Sequence, residues 1–404
     1  MSSAVKYRTI RATSTAAVLT GLLCTLTTGP AQAATPVGWE GAALNLSAAQ
    51  RQSQGEGVTV AVLDSGVYAD HPALKGKVTT GPDYFKDGLE AGDAKWGQHG
   101  TAMASDVLKV APKAKILSVR VIDDKHDEER TQEELEESFK RGNNPIADGI
   151  NYAVDNGADV ISMSLGGEDA FGRYSEDEAA ALAYAARNGV TVLASAGNSA
   201  EVFNDVSYPA AYAGVISVAA TQQNGERADF STVHTYNDVA APGVGIVSAT
   251  NTGGYRPANG TSPACALAAG VVALMYAKNP KLSSAQVNGI LTATTHRPTG
   301  GASAILGYGL INANAAVKAA ASPPKVRTEA VAYEGKEHLA TPDGTSKTTH
   351  PDMEQGVWLT GLGAAGAGLV FMIGGVLLAS SGRRKRSVSA GAPGMGHPQG
   401  HFPG

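Results

Sequence analysis

Between residues 34 and about 320 the chain alternates short β-branched runs with alanine-rich stretches, and that alternation fixes its fold class. The segments 58–62, 116–121, 160–163, 191–194 and 215–219 are dominated by Val, Ile, Leu and Ala. Short apolar runs without polar alternation read as strands covered on both faces. Helical stretches lie between them. Asn151–Asn156 stops at Gly157, and Asp177–Asn188 stops at Gly189. Strands alternating with helices predict an α/β fold, a mostly parallel sheet flanked by helices. No internal repeat is present.

In such sheets ligands bind outside the carboxyl ends of the strands. The sequence puts reactive side chains at those ends. Asp64 closes the strand Val58–Leu63, and Gly66 lets the chain turn away. His99 stands before Gly100-Thr101 and a helical stretch, Ala102–Val107. Gly260-Thr261-Ser262 leads into an apolar helix, Ala264–Ala277, whose positive end would face an oxyanion. Val192–Ala194 runs into Ser195-Ala196-Gly197-Asn198, where an Asn amide can donate to a tetrahedral intermediate. Each window alone is an ordinary turn or cap. Together they supply a carboxylate, a base and a nucleophile. A serine hydroxyl needs an imidazole to take its proton and a carboxylate to fix that imidazole's tautomer.

The order Asp, His, Ser is that of subtilisin. With the pieces VAVLDSG, HGTAMAS, GADVISMSLGG, VLASAGN, VAAPG and NGTSPACALAAGVVALM, the chain from Val58 to Asn314 resembles the subtilisin-like serine proteases. The resemblance implies Asp64 as orienting group, His99 as general base and acid, and Ser262 as nucleophile. It implies Asn198 and the Ser262 N–H as oxyanion donors. Ser164-Leu165-Gly166-Gly167 and Ser195-Ala196-Gly197 would wall the substrate cleft. Peptide would pair there through its main chain.

Three positions depart from the family pattern. Pro263 follows the nucleophile, and proline pushes its predecessor toward extended backbone, which here is Ser262. Ala266 replaces a proline. Gln98 precedes His99 where glycine is usual. Cys265 reads as a small buried residue, and His71 and His234 as structural.

The termini carry membrane signals. Lys6, Arg8 and Arg11, the apolar stretch Ala16–Leu26 and the site after Ala33 form a signal peptide over residues 1–33. The catalytic domain is expected over 34–321 and a Pro/Thr/Ser-rich linker over 322–356. A transmembrane helix follows over 357–381, uncharged and long enough to cross roughly 30 Å of hydrocarbon. The tail 382–404 opens with Arg383-Arg384-Lys385-Arg386, which places it in the cytoplasm and the catalytic domain outside the cell. Of the two cysteines, only Cys265 would survive signal removal, so no internal disulfide is expected.

This layout resembles the mycosins of type VII secretion. Like them, the chain leaves no room before Asp64 for the usual inhibitory propeptide. The resemblance implies protein or peptide substrates and a secretion-complex partner. A formal charge of −5 points away from nucleic acid. No cofactor is expected and no metal: the acidic cluster Asp123, Asp124, Asp127, Glu128 and Glu129 lacks calcium-loop spacing. The charged insertion 123–141 reads as a solvated rim, the alternative being selection for basic peptides or a partner. The competing reading is a subtilase-fold scaffold of a secretion complex, its catalysis impaired by Pro263.

Overall fold

A computed structural model describes residues 34–93, 95–124, 144–166, 174–297, 301–323 and 355–386. The expected signal peptide, most of the linker, the tail beyond 386 and most of the charged insertion lie outside these residues.

The chain enters through two short helices, α1 (Glu40–Ala43) and α2 (Leu46–Gln50). Strands β1 (Thr59–Asp64) and β2 (Val78–Asp83) precede helix α3 (Gln98–Val110) and strand β3 (Lys115–Arg120). Then come α4 (Pro145–Asp155), β4 (Val160–Met163), α5 (Glu176–Arg187), β5 (Thr191–Ser195), β6 (Ile216–Thr221) and β7 (Asn237–Pro242). A hairpin of β8 (Ile246–Ala249) and β9 (Tyr255–Ala258) leads into α6 (Thr261–Lys278). Helices α7 (Ser284–Thr294), α8 (Ala313–Ala320) and α9 (Gln355–Arg386) follow.

Seven strands form one sheet in the order β2-β3-β1-β4-β5-β6-β7, every neighbouring pair parallel. The five strands expected from sequence are all there. The two edges, β2 and β7, are additions. β2 reads VTTGPD, too polar to stand out, because an edge strand needs no apolar covering on both faces.

Alternate residues of the inner strands feed two separate cores. Val60 and Val62 of β1 face one, with α3, α6, α7 and α8. Ala61 and Leu63 face the other, with α4 and α5. Both faces are covered, hence the continuous apolar runs. The order reverses between β1 and β4, since the chain leaves β1 toward β2 and β3 before crossing to β4. That opens a crevice at the carboxyl ends of β1 and β4, where Asp64 and Ser164 stand.

Helix α6 runs through the first core and is buried on all sides from Pro263 to Tyr276. It is long and apolar enough to cross a membrane, yet its burial identifies it as a core helix. In α9 the apolar stretch is Leu359–Gly374, with Leu359, Val370, Phe371 and Met372 exposed.

The segment before β1 packs on α3 rather than trailing free. Lys109 of α3, buried, reaches Glu40 Oε1 (3.0 Å), Asp106 Oδ1 (3.2 Å) and the Val247 carbonyl (2.8 Å). Burial pushes the Asp106 carboxyl up to about 6, partly offset by Lys109 and Ser248. Trp39 Nε1 donates to the Val244 carbonyl at 2.9 Å. These contacts tie the start of the domain to the helix that carries His99 and to the segment that enters β8.

Candidate active site

Asp64 is 0% exposed at the end of β1. Its Oδ1 accepts from the Ser65 N–H (2.7 Å) and bonds His99 Nδ1 (2.8 Å). A carboxylate on Nδ1 leaves Nε2 unprotonated and outward, ready to accept a proton.

Close backbone approach makes that bond possible. Gly66 takes a positive φ of 100°, and a Cβ there would lie 2.5 Å from the Trp96 indole nitrogen. A Cβ on Gly100 would overlap the Gly66 carbonyl oxygen. Glycine at 100 therefore lets α3 rest against the β1 turn, and Ser65 Oγ accepts from the Gly100 N–H at 3.1 Å. Behind them Arg120, 2% exposed, braces the turn. Its Nε donates to the Ser65 carbonyl (3.1 Å), its terminal nitrogens pair with Asp83 and Asp87 (3.0 and 2.7 Å), and it stacks on Trp96 at 4.6 Å. The hydrogen bonds from Arg120 hold the Asp87 carboxyl below its ordinary value.

Asp124 departs from the rim expected of the charged insertion. Its carboxylate bridges the first N–H groups of α3, Gln98 and His99, at 2.8 Å each. Those groups have no partner inside the helix, and a negative charge suits a helix N-terminus. Burial disfavours the His99 imidazolium and Arg256 opposes it too. The charge and hydrogen bond of Asp64, with the charge of Asp124, outweigh both and hold His99 above its ordinary value. A base must be neutral to accept a proton, so activity rises with pH through this raised value. The acid limb of kcat/KM is expected above pH 6.5. Asp124→Asn keeps an acceptor for one N–H and removes the charge, so the limb moves to lower pH. An unmoved limb in that variant would show that Asp124 does not act on the imidazole.

Ser262 sits in the first turn of α6, helical despite the proline after it. The expected push toward extended backbone is overridden. Pro263 occupies a first-turn position whose N–H would have no helical partner, so its missing donor costs nothing there. The start of α6 is pinned to the end of β4 by two reciprocal bonds. Ser262 Oγ donates to the Ser164 carbonyl (3.1 Å), and Ser164 Oγ donates to the Ser262 carbonyl (2.9 Å). Among the described residues the serine proton is thus given to a backbone oxygen, not to His99. Such bonds often realign only when substrate binds.

Asn198 is oriented by Thr261. Both the Thr261 N–H (2.9 Å) and its hydroxyl (3.0 Å) donate to Asn198 Oδ1. That occupies the amide oxygen and leaves the amide NH₂ to donate elsewhere. A Cβ on Gly260 would lie 3.8 Å from that nitrogen and 3.5 Å from the Ser262 nitrogen, so both donors border Gly260.

The two expected walls stand side by side. Ser195 Oγ donates to the Leu165 carbonyl at 3.1 Å, so this serine ties the walls together from within. Ser164, Leu165, Ser195 and Ala196 are buried, while Gly166 is exposed and Gly197 half-buried. Gly167 lies outside the described residues. Between the walls stands Ser207, its hydroxyl buried without a partner. A Cβ on Gly166 would overlap that hydroxyl, and one on Gly197 would lie 3.2 Å from Ser207 Cβ. Sequence reasoning missed Ser207, Thr261, Asp124 and Arg120. Only Thr261, inside the Gly-Thr-Ser window, carried a local signal.

Cys265 is buried beside Ser162 and Met163, and burial pushes its thiol up to about 12, which keeps it unreactive. His71 and His234 bond backbone carbonyls, as structural residues do.

Residues 55–309 match the subtilase family. Subtilisin DY of Bacillus licheniformis is 36% identical over 277 residues, covering 66% of this chain and 92% of its own. Among solved structures, the MycP3 protease from the type VII (ESX-3) secretion system superposes with a TM-score of 0.58 at 29% identity, covering 71% of this chain and 90% of that one. MycP1 from the ESX-1 type VII secretion system gives 0.58 at 26%, covering 76% and 91%. With the family match spanning most of its length, the chain belongs to the subtilase family of serine peptidases.

Proposed function

We propose that the chain is a membrane-anchored, extracytoplasmic endopeptidase that cleaves peptide bonds through Asp64, His99 and Ser262 and works with a type VII secretion system. The observation that carries the chemistry is the 2.8 Å bond from His99 Nδ1 to a buried Asp64, and Ser262 stands in the first turn of a helix. Ser262 attacks the peptide carbonyl, and its proton passes to His99 Nε2. Asn198 and the Ser262 N–H hold the oxyanion. His99 then protonates the leaving amine, and water repeats the sequence on the acyl-enzyme. Ser164–Gly166 and Ser195–Gly197 position the acyl side of the substrate, with Ser207 between them. The secretion link draws on the likeness to MycP1 and MycP3, and the anchor on the apolar stretch of α9 followed by basic residues.

A membrane-impermeant fluorophosphonate applied to intact cells tests the chemistry and the topology. Label is expected on full-length chain in the membrane fraction and is lost in Ser262→Ala. Labelling only after lysis would overturn the topology and leave the chemistry standing. The competing reading, a scaffold with an idle site, is favoured by one observation: the Ser262 hydroxyl is bonded to Ser164 rather than to His99. It predicts no label on folded protein under either condition.

A further inference from the structure

Gln98 stands where the family pattern has glycine, and the triad has no use for its side chain. Its backbone N–H is fixed by Asp124. Its side chain reaches the hairpin. In the amide orientation its neighbours require, Gln98 Oε1 accepts from both terminal nitrogens of Arg256, at 2.9 and 2.5 Å. Arg256 lies on β9, the strand that leads through Asn259 and Gly260 into Ser262. Gln98 immediately precedes His99 in the chain, and the Arg256 charge opposes protonation of the imidazole.

Arg256 is exposed, and among the described residues no carboxylate pairs with it. A guanidinium carries five N–H donors in a planar fork. Gln98 offers one acceptor atom, so among the described residues the remaining donors have no partner. Most exposed arginines sample many rotamers and recognise nothing. This one is clamped in place at the mouth of a peptide-cleaving site, which removes much of the ordering cost of binding an anion.

We propose that Arg256, oriented by Gln98, is a specificity-determining residue that favours substrates with an acidic side chain beside the scissile bond. The inference rests on the peptidase reading above. Carboxylate and guanidinium planes match in a bidentate pair, which selects Glu or Asp over their amides by charge alone.

The test uses full-length chain in detergent and a peptide pool, with cleavage sites read by mass spectrometry. Matched peptides then carry Glu or Gln at the position the pool identifies. The quantity of interest is the ratio of kcat/KM for Glu over Gln. Taken within each variant, it cancels any change in overall activity. At low salt the ratio is expected to be about five, the scale of an exposed ion pair. It should fall toward one near 1 M salt, where the Debye length is about 3 Å. In Arg256→Ala it should be one, and in Arg256→Glu below one. Gln98→Gly should give an intermediate ratio, because the fork remains but is no longer aimed.

A ratio of one in the unaltered chain would overturn the proposal while leaving the peptidase reading intact. So would a ratio that survives Arg256→Ala, which would make the Gln98–Arg256 bond a tether for the hairpin and nothing more. No cleavage of any peptide by the unaltered chain would remove both readings together.

Discussion

Replacing Asp64 by asparagine is expected to lower kcat by about 10⁴-fold. The geometry explains so large an effect from a change of one atom. Asp64 Oδ1 faces two donors, the Ser65 N–H and His99 Nδ1. Its Oδ2 is buried without a partner. In the variant, an oxygen at the Oδ1 position would keep both donors but leave the NH₂ buried and unsatisfied at the Oδ2 position, and the flipped amide would turn its NH₂ toward the imidazole at the cost of the Ser65 bond. Facing the imidazole, it donates to Nδ1 and forces the ring proton onto Nε2. The ring then presents a donor to Ser262 where an acceptor is needed. Steady-state kinetics on any cleaved peptide would reveal the loss, with circular dichroism to establish folding. A kcat reduced by less than tenfold in folded protein would remove Asp64 from the mechanism.

Asn198→Ala should lower kcat by about 10²–10³-fold with little change in KM. The amide NH₂ has its geometry set by Thr261 before substrate arrives, and the ground-state carbonyl oxygen does not occupy the oxyanion position. An interaction made only in the transition state appears in kcat alone. Alanine also leaves the Thr261 N–H and hydroxyl without their acceptor, so some loss of stability accompanies the kinetic loss. Asn198→Asp separates the two effects. It keeps acceptors for Thr261 and places a carboxylate where the oxyanion forms, so kcat should fall as far or further. A rise in KM at constant kcat would make Asn198 a substrate-binding residue instead.

What was legible in the sequence is what is local. Asp64, His99, Asn198 and Ser262 each stand where a strand ends or a helix begins, beside glycine or another small residue. Their windows could be read because the turn, the helix start and the reactive side chain occupy one short stretch. Asp124 could not be read this way. Its role depends on the loop after β3 returning to the N-terminus of α3, a contact between segments whose sequences say nothing of each other. Arg120 is a charged residue within an apolar strand, and only tertiary structure supplies its two aspartates and the Trp96 face. Ser207 lay in an unremarkable loop until the two glycine-edged walls closed around it. The proline after Ser262 misled in the opposite direction. Its effect on the preceding residue is a tendency of about the size that one packed helical turn overrides.

The nucleophile is carried on the first turn of the most deeply buried helix in the domain. Local opening of a segment is cheap only where few apolar contacts must be broken. Helix α6 has no such escape, since Ala264 through Met275 are sealed in the core. The position of Ser262 therefore has the stability of the whole domain behind it, and amides of α6 should exchange with solvent only when the molecule unfolds globally. Strand β9, which carries Arg256, is exposed along most of its length and is not sealed in the core in this way. Rigidity and adaptability are divided within one site: the bond-breaking atoms move only with the core, and the rim that meets the substrate can change at little cost to the fold.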